Sequence, residues 1–257
     1  MSRPASIDVC VCTFRRPSLA ATLQSIASQA LPAGLEMRVI VVDNDDAPTA
    51  RDLVTRTCKE LGLTFLYLHA PARNISVARN ACIANATSPL VAFIDDDETA
   101  SPGWLAALIA TMDAVDADVV FGPVQAIYEA GSPAWLRQAD LHSTRPVIGP
   151  GGVIQTGYTC NVLFKGRVVQ APDGPRFAEQ LGRSGGEDTV FFHDLFETGA
   201  RMAFSPAATV FESVPPARSR MSWLVRRAFR MGQTHAWVLN KRIAAGRLGA
   251  RFAAIMI

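Results

Sequence analysis

Four consecutive acids, Asp95-Asp96-Asp97-Glu98, follow the apolar run Leu90–Ile94. Adjacent carboxylates repel one another, and a hard divalent cation with oxygen ligands relieves that repulsion. Mg2+ or Mn2+ suits such a set better than zinc. The other reading of the same residues is a solvated loop leading to a helix cap at Ser101, before Pro102. Phosphate chemistry needs cations, yet the chain has neither a Gly-Lys-Ser/Thr phosphate loop nor a Gly-x-Gly-x-x-Gly run. The candidates are Arg15, Arg16, Arg73 and Arg79. Arg79 lies in Asn74-Ile75-Ser76-Val77-Ala78-Arg79-Asn80, at the start of a predicted helix, where the helix N-terminus and a guanidinium both favour an anion. A third constellation is Gly185-Gly186-Glu187-Asp188-Thr189. Its two glycines let backbone approach a ligand closely. Asp188 is then either a general base or a charge on the first turn of a helix.

The elements that must position these groups alternate in the α/β manner. Strands are predicted at residues 7–13, 37–42, 63–68 and 90–94, and helices at 18–29, 50–61 and 76–86. Near-continuous apolar strands between helices imply a parallel sheet covered on both faces. In such sheets the ligand sits outside the carboxyl ends of the strands. Those ends carry Thr13, Asp43 and the Asp95–Glu98 cluster, so three polar ends share one crevice. Beyond Pro102 the spacing predicts a helix over 104–112 and a strand or bent strand pair over 118–128. A long Gly- and Pro-rich segment follows at 130–157, with strands at 161–164 and 207–211 and a helix after Gly186. The expected organisation is a ligand-binding α/β half over 1–100, a second half of the same domain over 101–216, and a helical tail over 217–257.

With 49% hydrophobic and 19% charged residues among 257, the chain can bury a large core. Its five cysteines, Cys10, Cys12, Cys58, Cys82 and Cys160, are odd in number and irregular in spacing. That pattern fits buried thiols in a reducing compartment better than disulfides or a zinc site. The N-terminus has no apolar stretch behind a basic start, so no signal peptide is expected. No run of apolar residues is long enough to span a membrane. The net charge of +2 hides an asymmetry: residues 1–216 carry 16 basic and 23 acidic side chains, residues 217–257 nine basic and none acidic. The tail interleaves Arg218, Arg220, Arg226, Arg227, Arg230, Lys241, Arg242, Arg247 and Arg251 with Trp223, Phe229, Trp237 and Phe252. It therefore suits an anionic membrane surface, or docking on the acidic body. No nucleic-acid motif accompanies the charge, and no nucleic-acid partner is expected.

Read together, the motifs resemble a family. Val11-Cys12-Thr13-Phe14-Arg15-Arg16-Pro17, Val41-Val42-Asp43-Asn44, Val77-Ala78-Arg79-Asn80, Phe93-Ile94-Asp95-Asp96-Asp97 and Gly186-Glu187-Asp188 occur in the order found in glycosyltransferase family 2, inverting enzymes of GT-A fold. Together with Val214-Pro215-Pro216, they look most like the succinoglycan-type glucosyltransferases of bacterial exopolysaccharide assembly. The resemblance covers roughly residues 5–220. It implies a Rossmann-like, mostly parallel sheet with helices on both faces and an acceptor-binding C-terminal part. It assigns nucleotide contacts to Thr13, Asp43, Arg79 and Asp95, which the phosphate candidate Arg15 joins, the Mg2+ or Mn2+ ligand to Asp97, and the catalytic base to Asp188, whose neighbour Glu187 is the runner-up. It further implies a UDP-sugar donor, a saccharide or lipid-linked saccharide acceptor, and a cytoplasmic place at the inner membrane. Many members have Pro where Cys12 stands and Gly where Asn74 stands, so the loop on the pyrophosphate side departs from the pattern.

Three rival readings remain at this level. Asp95-Asp96-Asp97-Glu98-Thr99 also fits the Asp-x-Asp-x-Thr of haloacid-dehalogenase-type phosphatases, with Lys165 and Asp188 or Asp194 downstream. That class opens its domain with the motif, whereas here some 90 residues precede it. A nucleotidyltransferase would place a Gly-rich basic loop after the first strand, and residues 13–18 contain no Gly. A non-catalytic nucleotide-sugar-binding module would keep the motifs without turnover.

Overall fold

The computed structural model describes residues 5–244. Its first half runs β1 (Ser6–Thr13), α1 (Leu19–Ala27), β2 (Glu36–Asp43), α2 (Arg51–Glu60), β3 (Thr64–His69), α3 (Ile75–Asn85) and β4 (Leu90–Ile94). β1 pairs in parallel with both β2 and β4, and β2 with β3. The register sets Thr13 opposite Asp43 and Asp43 opposite His69, so these strands end at one level. Alternation sorts the apolar side chains by face. Ile7, Val9 and Val11 pack under α1, α2 and α4 (Trp104–Val115), while Cys10, Cys12, Ile40 and Val42 pack under α3 and α7 (Glu187–Glu197). Burial on both faces is why the strands read as unbroken apolar runs.

The second half adds to the same sheet. β6 (Val119–Phe121), β8 (Asn161–Lys165) and β9 (Met202–Phe204) extend it to seven strands, in the order β3-β2-β1-β4-β8-β6-β9. β8 is antiparallel to β4, and Asn161 pairs with Ile94. The residues just before β8 therefore lie past the carboxyl end of β4, beside the acid cluster. A smaller sheet of β5 (Glu98–Ala100), β10 (Val210–Val214) and β7 (Val124–Tyr128) sets Glu212 opposite Glu98. Buried Asn161 ties the start of β8 to α4 and to the segments before β7 and β10: its Oδ1 accepts from Trp104 Nε1 at 2.7 Å, and its Nδ2 donates to the Pro123 and Ala208 carbonyls at 3.0 and 2.7 Å.

Several expectations change. The segment 130–157, read as a long Gly- and Pro-rich stretch, contains α5 (Ala134–Ala139), a short 3-10 turn and isolated bridges Val124↔Thr144 and Ile148↔Ile154. The strand expected at 207–211 begins only at Val210, whereas the 118–128 stretch is the strand pair of the two readings, breaking at Gly122 into β6 and β7. A Cβ at Gly122 would lie 2.1 Å from the Ala208 carbonyl, so no larger residue fits at the break. Three-residue strands β5 and β9 and the single-turn α6 (Gly166–Val169) carry no period that a sequence reading can detect. The five cysteines are free thiols, four of them buried. The tail forms α8 (Met221–Ala244). Arg247, Arg251, Phe252 and the apolar chain end lie outside the described residues. No helix among the described residues is long and apolar enough to cross a membrane.

Candidate active site

β4 ends at Ile94 and the chain turns at once. The Glu98 amide donates to the Asp95 carbonyl at 3.2 Å, and the Asp95 amide donates to Glu98 Oε2 at 3.1 Å. This turn drives Glu98 into the interior and leaves Asp95, Asp96 and Asp97 on the wall of a cavity of about 630 Å3. Burial, with the charge of Asp95 nearby, pushes Glu98 well above the usual carboxylate range. Burial also pushes Asp95 up to about 7; Arg79 opposes it, while Asp97, Asp188 and Asp96 add to it. Asp96 rises to about 6, through burial first and then Asp97. The Asp95 side chain is nevertheless 40% exposed, so its carboxylate is reachable from the cavity although protein crowds around it. Arg16 lies 3.7 Å from Asp96 and 3.3 Å from Asp97; Arg218 lies 3.7 Å from Asp97 and bonds Glu212.

Among the described residues no three ligating side chains converge into a metal cage. What the cavity presents is two partly open carboxylates, Asp95 and Asp97, 40% and 21% exposed, beside Asp96 and among arginines. That donor set fits Mg2+ or Mn2+: Mg2+ in particular keeps several waters and shares substrate phosphates rather than filling its shell from protein.

The β1–α1 and β2–α2 loops form the opposite wall. Thr13 is buried at the end of β1, close enough to Asp96 to oppose the rise of that carboxyl. Arg15 adopts a left-handed φ of 55° and donates from Nε to Asp45 Oδ2 at 2.7 Å. Asp43 is placed otherwise than expected. It is fully buried and does not line the cavity. Its Oδ1 accepts from the Asp45 amide at 3.1 Å, and its Oδ2 from the Ala50 amide and the Tyr67 hydroxyl, each at 2.8 Å. These bonds shape the loop, and the neighbouring Asn44 lines the cavity in its stead. Asn44 donates to the Ala70 carbonyl at 2.7 Å and accepts from the Asn74 amide.

Asn74 caps α3 by accepting from the Ser76 and Val77 amides. Gly182 lies against this cap so closely that a Cβ there would come within 1.8 Å of Asn74 Oδ1. The capped first turns carry Arg79, which is almost fully buried. Its Nη1 donates to Glu187 Oε1 at 2.7 Å and Asp188 Oδ1 at 2.6 Å, its Nη2 lies 3.8 Å from Asp95, and its guanidinium stacks over Phe177. Three carboxylates hold Arg79 protonated against the cost of burial. Arg79 thus borders the first cavity and ties Asp95 to the N-terminus of α7.

Glu187 and Asp188 differ in setting. Burial pushes Glu187 up, with Asp188 adding and Arg79 opposing, and its buried Oε2 has no hydrogen-bond partner among the described residues. Asp188 borders a second cavity, of about 580 Å3, with Gly185, Gly186 and Tyr158. Its Oδ1 takes two short bonds, from Arg79 and from Thr159 Oγ1 at 2.8 Å; among the described residues its Oδ2 takes only a long one, from the Thr159 amide at 3.4 Å. Oδ2 is therefore the oxygen free to accept a proton. Thr159, Glu212 and Arg218 escaped the sequence reading of the site. Only the nearby Val214-Pro215-Pro216 hinted at Arg218. Lys165, the phosphatase reading's lysine, sits at the far end of β8, paired with Asp116 at 2.6 Å.

Residues 8–170 match Glycosyl transferase family 2. The chain is 48% identical over 236 residues to the succinoglycan biosynthesis protein ExoM of Rhizobium meliloti (strain 1021), covering 92% of this chain and 76% of that protein. It is 28% identical over 243 residues to the glucosyl-dolichyl phosphate glucuronosyltransferase of Haloferax volcanii, covering 88% and 75%. Among solved structures, the mannosyltransferase PcManGT from Pyrobaculum calidifontis, in complex with GDP-Man and Mn2+, aligns with a TM-score of 0.65 at 20% identity, over 93% of this chain and 65% of that one. S. aureus TarS 1-349, in complex with UDP-GlcNAc, aligns with a TM-score of 0.63 at 19% identity, over 82% and 59%. The chain thus spans less than two thirds of either solved chain, and at these identities they speak for the fold alone. By its family match and its 48% identical relative, this α/β chain of GT-A type belongs to glycosyl transferase family 2.

Proposed function

We propose that the protein transfers a sugar, glucose by resemblance, from a UDP-sugar to a saccharide on a lipid carrier during exopolysaccharide synthesis, with inversion. The observation that carries this reading is Arg79, which joins the acid cluster of one cavity to the carboxylate of the next. The first cavity suits the nucleotide diphosphate, because Arg15, Arg16, Arg73 and Arg218 line it beside Asp97. The name of the R. meliloti relative supports the polysaccharide role, that of the H. volcanii relative a lipid-phosphate acceptor, and the TarS complex a UDP-sugar donor. Asp97 would hold Mg2+ or Mn2+, which when bound supplies charge neutralisation of the diphosphate.

The protein's own residues then act as follows. The acceptor oxygen attacks the anomeric carbon from the Asp188 side. The bond from that carbon to the phosphate oxygen breaks, and its electron pair leaves with UDP. The acceptor proton passes to Asp188 Oδ2. A single displacement inverts the anomeric centre. The site would work at the cytoplasmic face of the inner membrane, where nucleotide sugars and lipid carriers meet. The test is a donor screen of UDP-, GDP- and dTDP-sugars read by nucleotide release. Release from UDP-glucose above all others is expected; release only from GDP-sugars would overturn the donor assignment.

A further inference from the structure

A third cavity, of about 540 Å3, lies between the 141–147 segment and α8. Its helix wall is Met221, Leu224, Val225, Ala228 and Met231, spaced so that they form one stripe of the helix. Val147, Val225, Met221 and Met231 are 74%, 61%, 58% and 53% exposed. A contiguous exposed apolar surface of this kind marks an interaction site, for a protein, a membrane or a ligand. The groove is continuous with the Asp188 cavity: Val147, Tyr158, Arg227 and Met231 line both.

Charge is placed at the junction. Arg227 borders both cavities, Arg230 the Asp188 cavity and Arg145 the apolar one. Arg227 lies over the Trp223 ring at 5.4 Å, and none of the three arginines forms an ion pair among the described residues. Starting from the first cavity, the molecule presents the acid cluster, then Asp188, then unpaired guanidiniums, then an apolar trough.

We propose that this groove binds the carrier end of the acceptor, an isoprenoid-type lipid phosphate or diphosphate. Its anionic group would lie at Arg227 and Arg230, its hydrocarbon along the α8 stripe and its sugar hydroxyl at Asp188. The inference rests on the reading that the Asp188 cavity receives the acceptor. The order of chemistry along the groove is that of such a molecule read from its reacting end. A nucleotide fits this order poorly, because its apolar content is small and its diphosphate has its own arginines in the first cavity. The trough is also concave, walled by the 141–147 segment on one side and α8 on the other, whereas a flat bilayer surface needs only an outward-facing stripe.

The test uses the full chain and calorimetry with farnesyl diphosphate, below its micelle concentration, against farnesol and inorganic diphosphate. Farnesyl diphosphate should bind at least tenfold more tightly than either fragment, and saturating UDP should not displace it. Arg227→Gln with Arg230→Gln should weaken it roughly tenfold or more. Val225→Asp should weaken it comparably, and UDP affinity should persist in both variants as the control for folding. Unchanged affinity in the arginine variant, equal binding of inorganic diphosphate, or displacement by UDP would overturn the proposal. Binding that appears only after removal of residues 245–257 would give the groove to the chain's own end. Absence of UDP binding in the unaltered protein would instead defeat the UDP-donor reading, and the comparison of farnesyl diphosphate with its two fragments would still decide the groove.

Discussion

Asp188 and Glu187 stand side by side at the start of α7, yet their settings separate them. Asp188 keeps one oxygen with a single long bond and borders an open cavity, whereas Glu187 is buried against Arg79. Asp188→Asn is nearly isosteric, so UDP affinity should be retained while transfer falls roughly 10²–10⁴-fold. Both are read on one preparation, by calorimetry and by nucleotide release with acceptor present. Near-normal transfer in Asp188→Asn with collapse in Glu187→Gln would move the base to Glu187. Asp97 carries the second prediction at this scale. Asp97→Asn should abolish metal-dependent UDP binding and turnover, and excess EDTA should do the same to the unaltered enzyme. Undiminished turnover in EDTA would defeat the metal assignment.

Among the elements, β1 and β2 owe part of their hold to an ion pair far from the chemistry. Arg38 on β2 donates to both oxygens of fully buried Asp8 on β1, at 2.7 and 2.9 Å, and the Thr87 and Ser88 amides before β4 donate to the same carboxylate. Burial alone would raise Asp8, but the guanidinium and the two amides outweigh it and hold the group below the usual range. A depressed folded value means that the stabilisation is present above about pH 4, the unfolded value, and is lost as pH falls through the folded one. Asp8→Asn should therefore cost about 2–4 kcal/mol at pH 7, because it leaves a partly buried Arg38 short of its counter-charge. The gap should close towards pH 3. Denaturant midpoints at the two pH values measure it, and equal midpoints at pH 7 would show that the pair contributes nothing.

For the whole molecule, the charge asymmetry is the feature that carries a prediction about anionic membranes. The acidic body and the basic α8 meet at the Asp188 cavity, where Arg227 and Arg230 are set. Phe229 and Val225 on the same helix are 67% and 61% exposed. Each basic residue near an anionic bilayer contributes about 1 kcal/mol, an attraction that salt screens. The full chain should co-sediment with anionic vesicles at low salt and dissociate as salt rises. Absence of binding at low salt would mean that the charge serves the body and the acceptor rather than a membrane.

Sequence by itself determined the parallel half of the sheet, since apolar runs bounded by polar ends are a local property. It also determined which residues stand at those ends, Thr13, Asp43 and the Asp95–Glu98 cluster, and that Arg79 sits near the start of a helix. The ordered motifs carried the family as well, because short patterns in sequence are informative when their succession is long. Tertiary structure alone decided the rest. Asp43 reads as a crevice residue, yet the bend of residues 43–50 turns its carboxylate inward to the Ala50 amide and the Tyr67 hydroxyl. Arg79 reads as a phosphate ligand, yet folding brings Asp188 from 109 positions away onto the same nitrogen. Arg218 reads as one charge of a basic tail until the β10–α8 turn sets it 3.7 Å from Asp97. Thr159 reaches Asp188 because β8 enters antiparallel beside β4, a pairing that short strands do not announce. The physical reason is common to all four: local periodicity records which face of an element is buried, while a side chain's partner depends on long-range closure of the chain, which no local pattern encodes.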